Sequence, residues 1–382
     1  PLTTSFTAPS INLGANETIE VRCVAGNEGG PGTAGASTTT STTTTQVTLN
    51  FVSTFGSVGT GFGQFQSPLG VAIHPTTGNI YVADFLNHRV QYFTAAGVFL
   101  NTFGSAGTGN AQFNGPYGIA IDPLNDYVLV VDNGNNRVQR FTAAGTFVDS
   151  FGSSGSGNGQ FAGPTGIALN AAGEIFVVDT GQRRIQRFTN GGVFTSIFGS
   201  AGTLPGQFEA PIGIAITAGG DSWVTDYTYN VIQIFSNAGV YLGQFSRGGT
   251  GNGEVMHPAG LIIDPATGNA FVADSGNNRV QCFNASGAFV TAIGSNGTAG
   301  GLFQTPYFLA LDAGAMTLAV SDVSNNRVQL FTVMTTTTTT TTTMPSATTT
   351  TTTAPEPTEG GVAWPGIAIG AGIGFLLWGW WL

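Results

Sequence analysis

Lysine is absent from this 382-residue chain. All ten basic residues are Arg, set against twenty Asp and Glu, for a formal net charge of −10. Such a chain lacks the basic footprint that neutralises phosphates, which argues against DNA or RNA as a partner. It also has no amine to serve as a Schiff-base nucleophile. Charged residues make up 8% of the chain, far below the usual share of about a quarter. The surface must therefore be wetted by hydroxyls, amides, backbone or attached sugars. The two cysteines, Cys23 and Cys282, lie far apart and have no metal-ligand spacing. Two readings stay open for them: a disulfide in an oxidising compartment, pinning the N-terminal segment to the fifth repeat, or two separate buried thiols. The chain begins at Pro1 without an initiator Met or signal peptide, as expected of a processed or excerpted chain.

What the chain does have is repetition. Segments beginning at Phe55, Phe103, Phe151, Phe198, Phe245 and Ile293 each run through a Gly-rich stretch, a Pro, a Gly (Phe308 in the sixth) and an aliphatic run. A second run ends at Asp84, Asp132, Asp179, Asp226, Asp274 and Asp322, spaced by 48, 47, 47, 48 and 48 residues. A period in this range signals a repeat architecture.

Each copy supplies four short strands separated by turns. In the first they are Gly70–His74, Asn79–Asp84, Arg89–Thr94 and Gly97–Phe103. Innermost strands such as Gly118-Ile119-Ala120-Ile121 alternate small with branched residues, as crowding near a central axis requires. Near-continuous apolar strands mean that neighbouring units cover both faces. The fold expected is all-β: a six-bladed β-propeller of four-stranded blades. The sixth copy stops after its third strand, Arg327–Phe331, and Gln46–Phe55 resembles the missing outer strand. The N-terminal strand is therefore expected to close the last blade, which leaves no unpaired seam.

The third strands carry a family resemblance. They open Asn87-His88-Arg89-Val90-Gln91, Asn135-Asn136-Arg137-Val138-Gln139, Asn277-Asn278-Arg279-Val280-Gln281 and Asn325-Asn326-Arg327-Val328-Gln329. Copy three departs modestly, with Gln182-Arg183-Arg184. Copy four departs most, with Tyr229 in place of the Asn and Val231 in place of the Arg. These units resemble NHL repeats over about residues 46–331. The resemblance implies a six-bladed propeller and leaves function open, since some proteins of similar fold are lyases or hydrolases with metals and histidines at the channel mouth.

Asp84 and Arg89 face one another across a tight turn, and the pair recurs as Asp132 with Arg137, Asp179 with Arg184, Asp274 with Arg279 and Asp322 with Arg327. Five copies point to a structural lock rather than to metal ligands or catalytic acids. The Gly-rich stretches lack the Lys and the following helix of a phosphate loop, so they read as blade connections. The expected channel mouth is Leu69, Tyr117, Thr165, Ile212, Ala259 and Tyr307, an apolar and aromatic set. His88 lies in an outer turn, while His74 and His257 reach the channel from opposite ends, against a shared metal. Asp122, Asp264 and Asp312 end inner strands, where a ring holding a structural cation is the alternative to solvated turn residues. No catalytic residue, metal or cofactor is assigned.

The expected domains are 1–45, an extended or β segment and Thr-rich linker; 46–332, the propeller; 333–360, a Thr/Pro-rich and O-glycosylated linker; and 361–382, an apolar helix. Sequons occur at Asn16, Asn284 and Asn296. Residues 361–382 carry no charge and are long enough to span a bilayer. Gly366, Gly370 and Gly374 fall on one helical stripe that lets another helix approach. The function expected is a non-enzymatic extracellular or cell-surface structural or interaction protein, a filament or sheath subunit joined to its copies through the tails. The alternatives are a membrane-anchored module binding protein or glycan, and a secreted lyase or hydrolase.

Overall fold

The computed structural model describes residues 38–344, and the side chains of 46–341 within that span. Contacts divide the chain into two units. One comprises Pro1–Glu20 and Ser41–Thr341 and holds the propeller; of the other, Val21–Thr40 with Thr342–Leu382, the described residues 38–40 and 342–344 are all strand.

Six four-stranded antiparallel sheets form the blades. Blade one consists of Pro68–Ile73, Ile80–Asp84, Arg89–Phe93 and Phe99–Phe103 in sequence order, and blades two to five repeat that order. Helix among the described residues is limited to five 3-10 turns of three residues, each just after the repeated Asp of its blade. Those turns end on a left-handed residue, such as His88 at φ 52° or Asn136 at φ 54°. Asn tolerates this conformation because its short side chain bonds locally.

Blade six closes as expected. Its order runs from Thr38–Phe55 through Arg327–Met344 and Thr317–Asp322 to Pro306–Asp312, so the first and last described strands are neighbours. Thr54 Oγ1 donates to the Val328 carbonyl at 3.1 Å, and Phe51 meets Phe331 edge-on at 5.9 Å. Val47 is buried with Val333 in the core between blades five and six. Burying one such side chain contributes about 1.5–3 kcal/mol. Pairing with Thr317–Asp322 stops at Thr332, whereas the last strand runs on to Met344. Residues 38–45 and 333–344, which fall in the stretches expected as linkers, are therefore strand. β-Branched Thr suits extended backbone, and each tract has the other to pair with.

The core lies between blades. Phe65, Phe113, Phe161, Phe208 and Phe303, each from a Gly-rich connection, are fully buried, with Val255 in the fifth copy. The seam core joins Phe65, Val71, Val82 and Phe93 of blade one to Ala310, Ala319, Val328 and Leu330 of blade six. The Gly repeated in the inner strands of blades one to five has a steric cause. A Cβ on Gly70 would lie 2.1 Å from the Tyr117 carbonyl oxygen, and one on Gly118 2.4 Å from that of Thr165.

Among the described residues no helix is long and apolar enough to cross a membrane. Residues 361–382 with Gly366, Gly370 and Gly374, the sequon at Asn16, and Cys23 lie outside the described residues. Cys282 carries a free thiol buried on the blade-five side of the blade five–six core; burial pushes its pKa up to about 12.

Candidate functional site

Two regions bear on function: the polar network at the head of each blade and the central channel. Asp84 is fully buried. Its Oδ1 accepts the Gln66 amide at 2.8 Å, and its Oδ2 accepts Asn87 Nδ2 and Arg89 Nε at 2.8 Å and Gln91 Nε2 at 3.2 Å. Arg89 passes the connection on through Nη2 to the carbonyls of Gly61 and Gln64. Gln91 donates to Gln64 O and accepts the Gly63 amide. The Gly-rich connection is thus fixed to its own blade by one carboxylate, one guanidinium and two amides. Asp132 with Arg137, Asp179 with Arg184, Asp274 with Arg279 and Asp322 with Arg327 repeat the geometry at 2.7–2.8 Å. Burial pushes the Asp84 and Asp179 carboxyls above their ordinary value, with the amide and guanidinium bonds opposing it.

In every blade but the third, the residue before the third strand reaches the next blade. His88 Nδ1 accepts the Gly115 amide, and the Oδ1 atoms of Asn136, Asn230, Asn278 and Asn326 accept those of Gly163, His257, Thr305 and Ser67. His88 therefore links blades one and two, a role its placement in an outer turn did not reveal.

The channel is walled by Ile119, Ile167, Ile214, Leu261, Leu309 and their neighbours around a cavity of about 400 Å³. Of the expected mouth residues, Leu69, Thr165, Ile212 and Ala259 are buried. Tyr117 and Tyr307 share a hydrogen bond of 2.5 Å between their hydroxyls, and Phe308 meets both rings edge-on. Burial pushes the Tyr117 phenol well above its ordinary pKa and that of Tyr307 up to about 12, so both remain neutral hydrogen-bonding groups at physiological pH.

At the opposite rim the acids are used locally. Asp122 accepts from the Leu124 amide, Asn125 and Asn190; Asp264 from the Ala266 amide and Thr267; Asp312 from the amides of Gly314 and Ala315. All three sit in turns, but Asp122 and Asp264 are buried rather than solvated; among the described residues no group of three or more His, Cys, Asp or Glu is placed to hold a metal. His74 is buried there, with Nδ1 facing the amides of Thr76 and Thr77 and Nε2 2.7 Å from Asp126 Oδ1. His257 lies elsewhere, stacked on Tyr227 at 4.6 Å.

One sequon changes meaning. Asn284 is buried, and its Oδ1 accepts the amides of Ser286 and Ala288 and the Ser286 hydroxyl. Thr94, Thr142, Thr189 and Ser236 accept the corresponding amide in other blades, so Asn284 is that hairpin's turn residue, not an open glycan acceptor. Asn296 is exposed.

The model of the NHL repeat matches residues 65–93 and 256–283, the inner three strands of blades one and five. The chain is an NHL-repeat β-propeller. No curated protein sequence matches it. Among solved structures, the NHL propeller is similar to a protein of unknown function from Bacteroides thetaiotaomicron, at 15% identity and TM-score 0.58, covering 76% of this chain and 77% of that one. It is similar to a gluconolactonase from Xanthomonas campestris, at 14% and 0.55, covering 75% and 97%. A streptogramin B lyase matches at 14% and 0.52, covering 76% and 98%. At such identities the likeness is one of fold, and the fold serves enzymes as well as other proteins.

Proposed function

We propose that this NHL propeller is a non-enzymatic extracellular or cell-surface protein with a structural or interaction role, joined to copies of itself through its tails in a filament or sheath. One observation carries the reading: both Thr-rich segments leave the ring side by side from blade six as paired strands, so the propeller hangs from a single attachment. The aliphatic channel wall and the rim acids already engaged in turns support a role without catalysis or cofactor. The lack of lysine and the net charge of −10 favour proteins or glycans over nucleic acid as partners. Thr-rich tails suit O-glycosylation and display outside the cell.

A second reading, a membrane-anchored binding module, is favoured by the uncharged run at 361–382. Electron microscopy of the intact protein beside a version ending before Gly361 separates the two. Ordered fibres lost on truncation support the assembled subunit. Micelle-bound clusters that become soluble monomers support the anchored module and sink the filament.

A further inference from the structure

The third strands of blades two and three each send an Arg across to the next blade. Arg140 sits opposite Leu129 in the strand register and donates to the carbonyls of Asn190 and Gly191 in the hairpin of blade three, while pairing with Asp149. Arg187 sits opposite Phe176, lies 5.1 Å over that ring, donates to the Asn237 carbonyl of blade four at 2.9 Å, and pairs with Glu174. The gap between neighbouring blades is in both cases filled by a guanidinium.

The other blades carry no Arg at this position: Tyr92 in blade one, Ile234 in blade four, Cys282 in blade five and Leu330 in blade six. In blade four the position opposite Trp223 is Ile234, which has no donor. The rest of the arrangement remains. Asp221 precedes Ile234 by the same interval at which Glu174 precedes Arg187, and Trp223 takes the place of Phe176. The hairpin of blade five is present at Ala285. Asp264 of blade five adds a second carboxylate where blade four has Thr217 and blade three Asn170. Between blades four and five these residues line a cavity of about 270 Å³, Asp221, Trp223, Ile234, Asp264 and Ala285 among them.

We propose that this cavity is a binding site for a monosubstituted guanidinium. Two other gaps of the same chain hold a guanidinium, and that of Arg187 does so with the same aromatic face and carboxylate. An aromatic face attracts a cation through its ring quadrupole, and guanidinium is the cation that stacks on rings while donating in plane. The carboxylates keep capacity for it. An ionised carboxylate has about four acceptor sites, of which Asp221 uses one, for the Asn237 amide, and Asp264 two. The guanidinium comes either from a small molecule or from an Arg side chain of another protein. Both present the same head group, so one site serves either.

The test titrates the full-length protein with propylguanidinium, using propylurea as the neutral isostere, followed by calorimetry or NMR. Saturable one-site binding of propylguanidinium is expected, with none of propylurea. Asp221→Asn weakens binding by roughly tenfold or more, the scale of one lost charge-assisted contact. Ile234→Arg abolishes it by supplying the guanidinium internally, and raises Tm. Binding undiminished in Asp221→Asn overturns the proposal even if Ile234→Arg does not fold. Equal binding of propylurea, or no saturable binding, overturns it too. Acetyl-Gly-Arg-Gly-amide then identifies the source: binding as tight as that of the free ion supports a protein side chain, and exclusion of the peptide supports a small molecule.

Discussion

Asp226 faces Val231 across the turn where the five other blades set an Asp against an Arg. Its carboxylate is nonetheless fully buried. It keeps the amide contact of the other blades, here from Glu209, and two further backbone amides, from Ala210 and Tyr229, replace the missing guanidinium. The fold therefore requires a satisfied carboxylate at this position, and the Arg is one of two ways to satisfy it.

The carboxylate is accordingly the costlier member to lose. Asp132→Ala strips partners from Arg137, Asn135, Gln139 and the Asn114 amide together. Removing one side of a buried ion pair costs about 3–5 kcal/mol, and urea unfolding of the variant is expected to show a loss in that range. A loss below about 1 kcal/mol, the level of an exposed pair, would show that the network is incidental to stability.

The pH dependence of one clamp runs opposite to that of an ordinary salt bridge. Asp84 has its folded pKa raised by burial above its ordinary value of 3.8, so in that window the folded state holds the proton that the unfolded state has lost. Its contribution to stability is therefore full below pH 3.8 and declines as pH rises through the folded value. The unfolding free energy of the native protein minus that of Asp84→Asn, measured from pH 7 down to 4, should rise as pH falls. A fall toward acid would mean that the guanidinium bond outweighs desolvation.

Glycosylation should distinguish the two sequons of the propeller. Made in a secretory eukaryotic host, the folded protein is expected to carry glycan at Asn296 and none at Asn284, read by peptide mass spectrometry. Full occupancy at Asn284 would contradict its place as the buried acceptor of its hairpin. Asn284→Thr restores the hydroxyl used in three other blades and should leave Tm nearly unchanged.

Much of the ring is legible in the sequence because its determinants are local. Alternating small and branched residues mark the inner strands, and the interval of 47 or 48 residues fixes how many units share the axis. The truncated sixth copy and the orphan strand Gln46–Phe55 reveal their pairing by mutual deficiency. Contacts between blades are harder to read. That Asn326 holds the Ser67 amide, or that Arg187 reaches the Asn237 carbonyl, depends on which face of a strand meets the next sheet. Asn284 misleads for a related reason: a sequon and a turn residue look alike until burial is known. Asp122, Asp264 and Asp312 end inner strands in the sequence, but that each holds its own turn, and that Asp122 also takes Asn190 from blade three, appears only with the partners in place.

The pairing of the two Thr-rich strands has a mechanical consequence. As one strand runs from Asn50 to Thr54, its partner runs back from Met334 to Val328, so the strands are antiparallel and both tails depart from the same end. Tension between the tails loads the rungs singly, from the outer end of the ribbon inward, instead of shearing them all at once. The ribbon would peel first at low force and lengthen the tether before any load reached the seam at Phe51 and Phe331. A pulled propeller would thus lose its extension before its ring, and the strands could zip together again when slack returned.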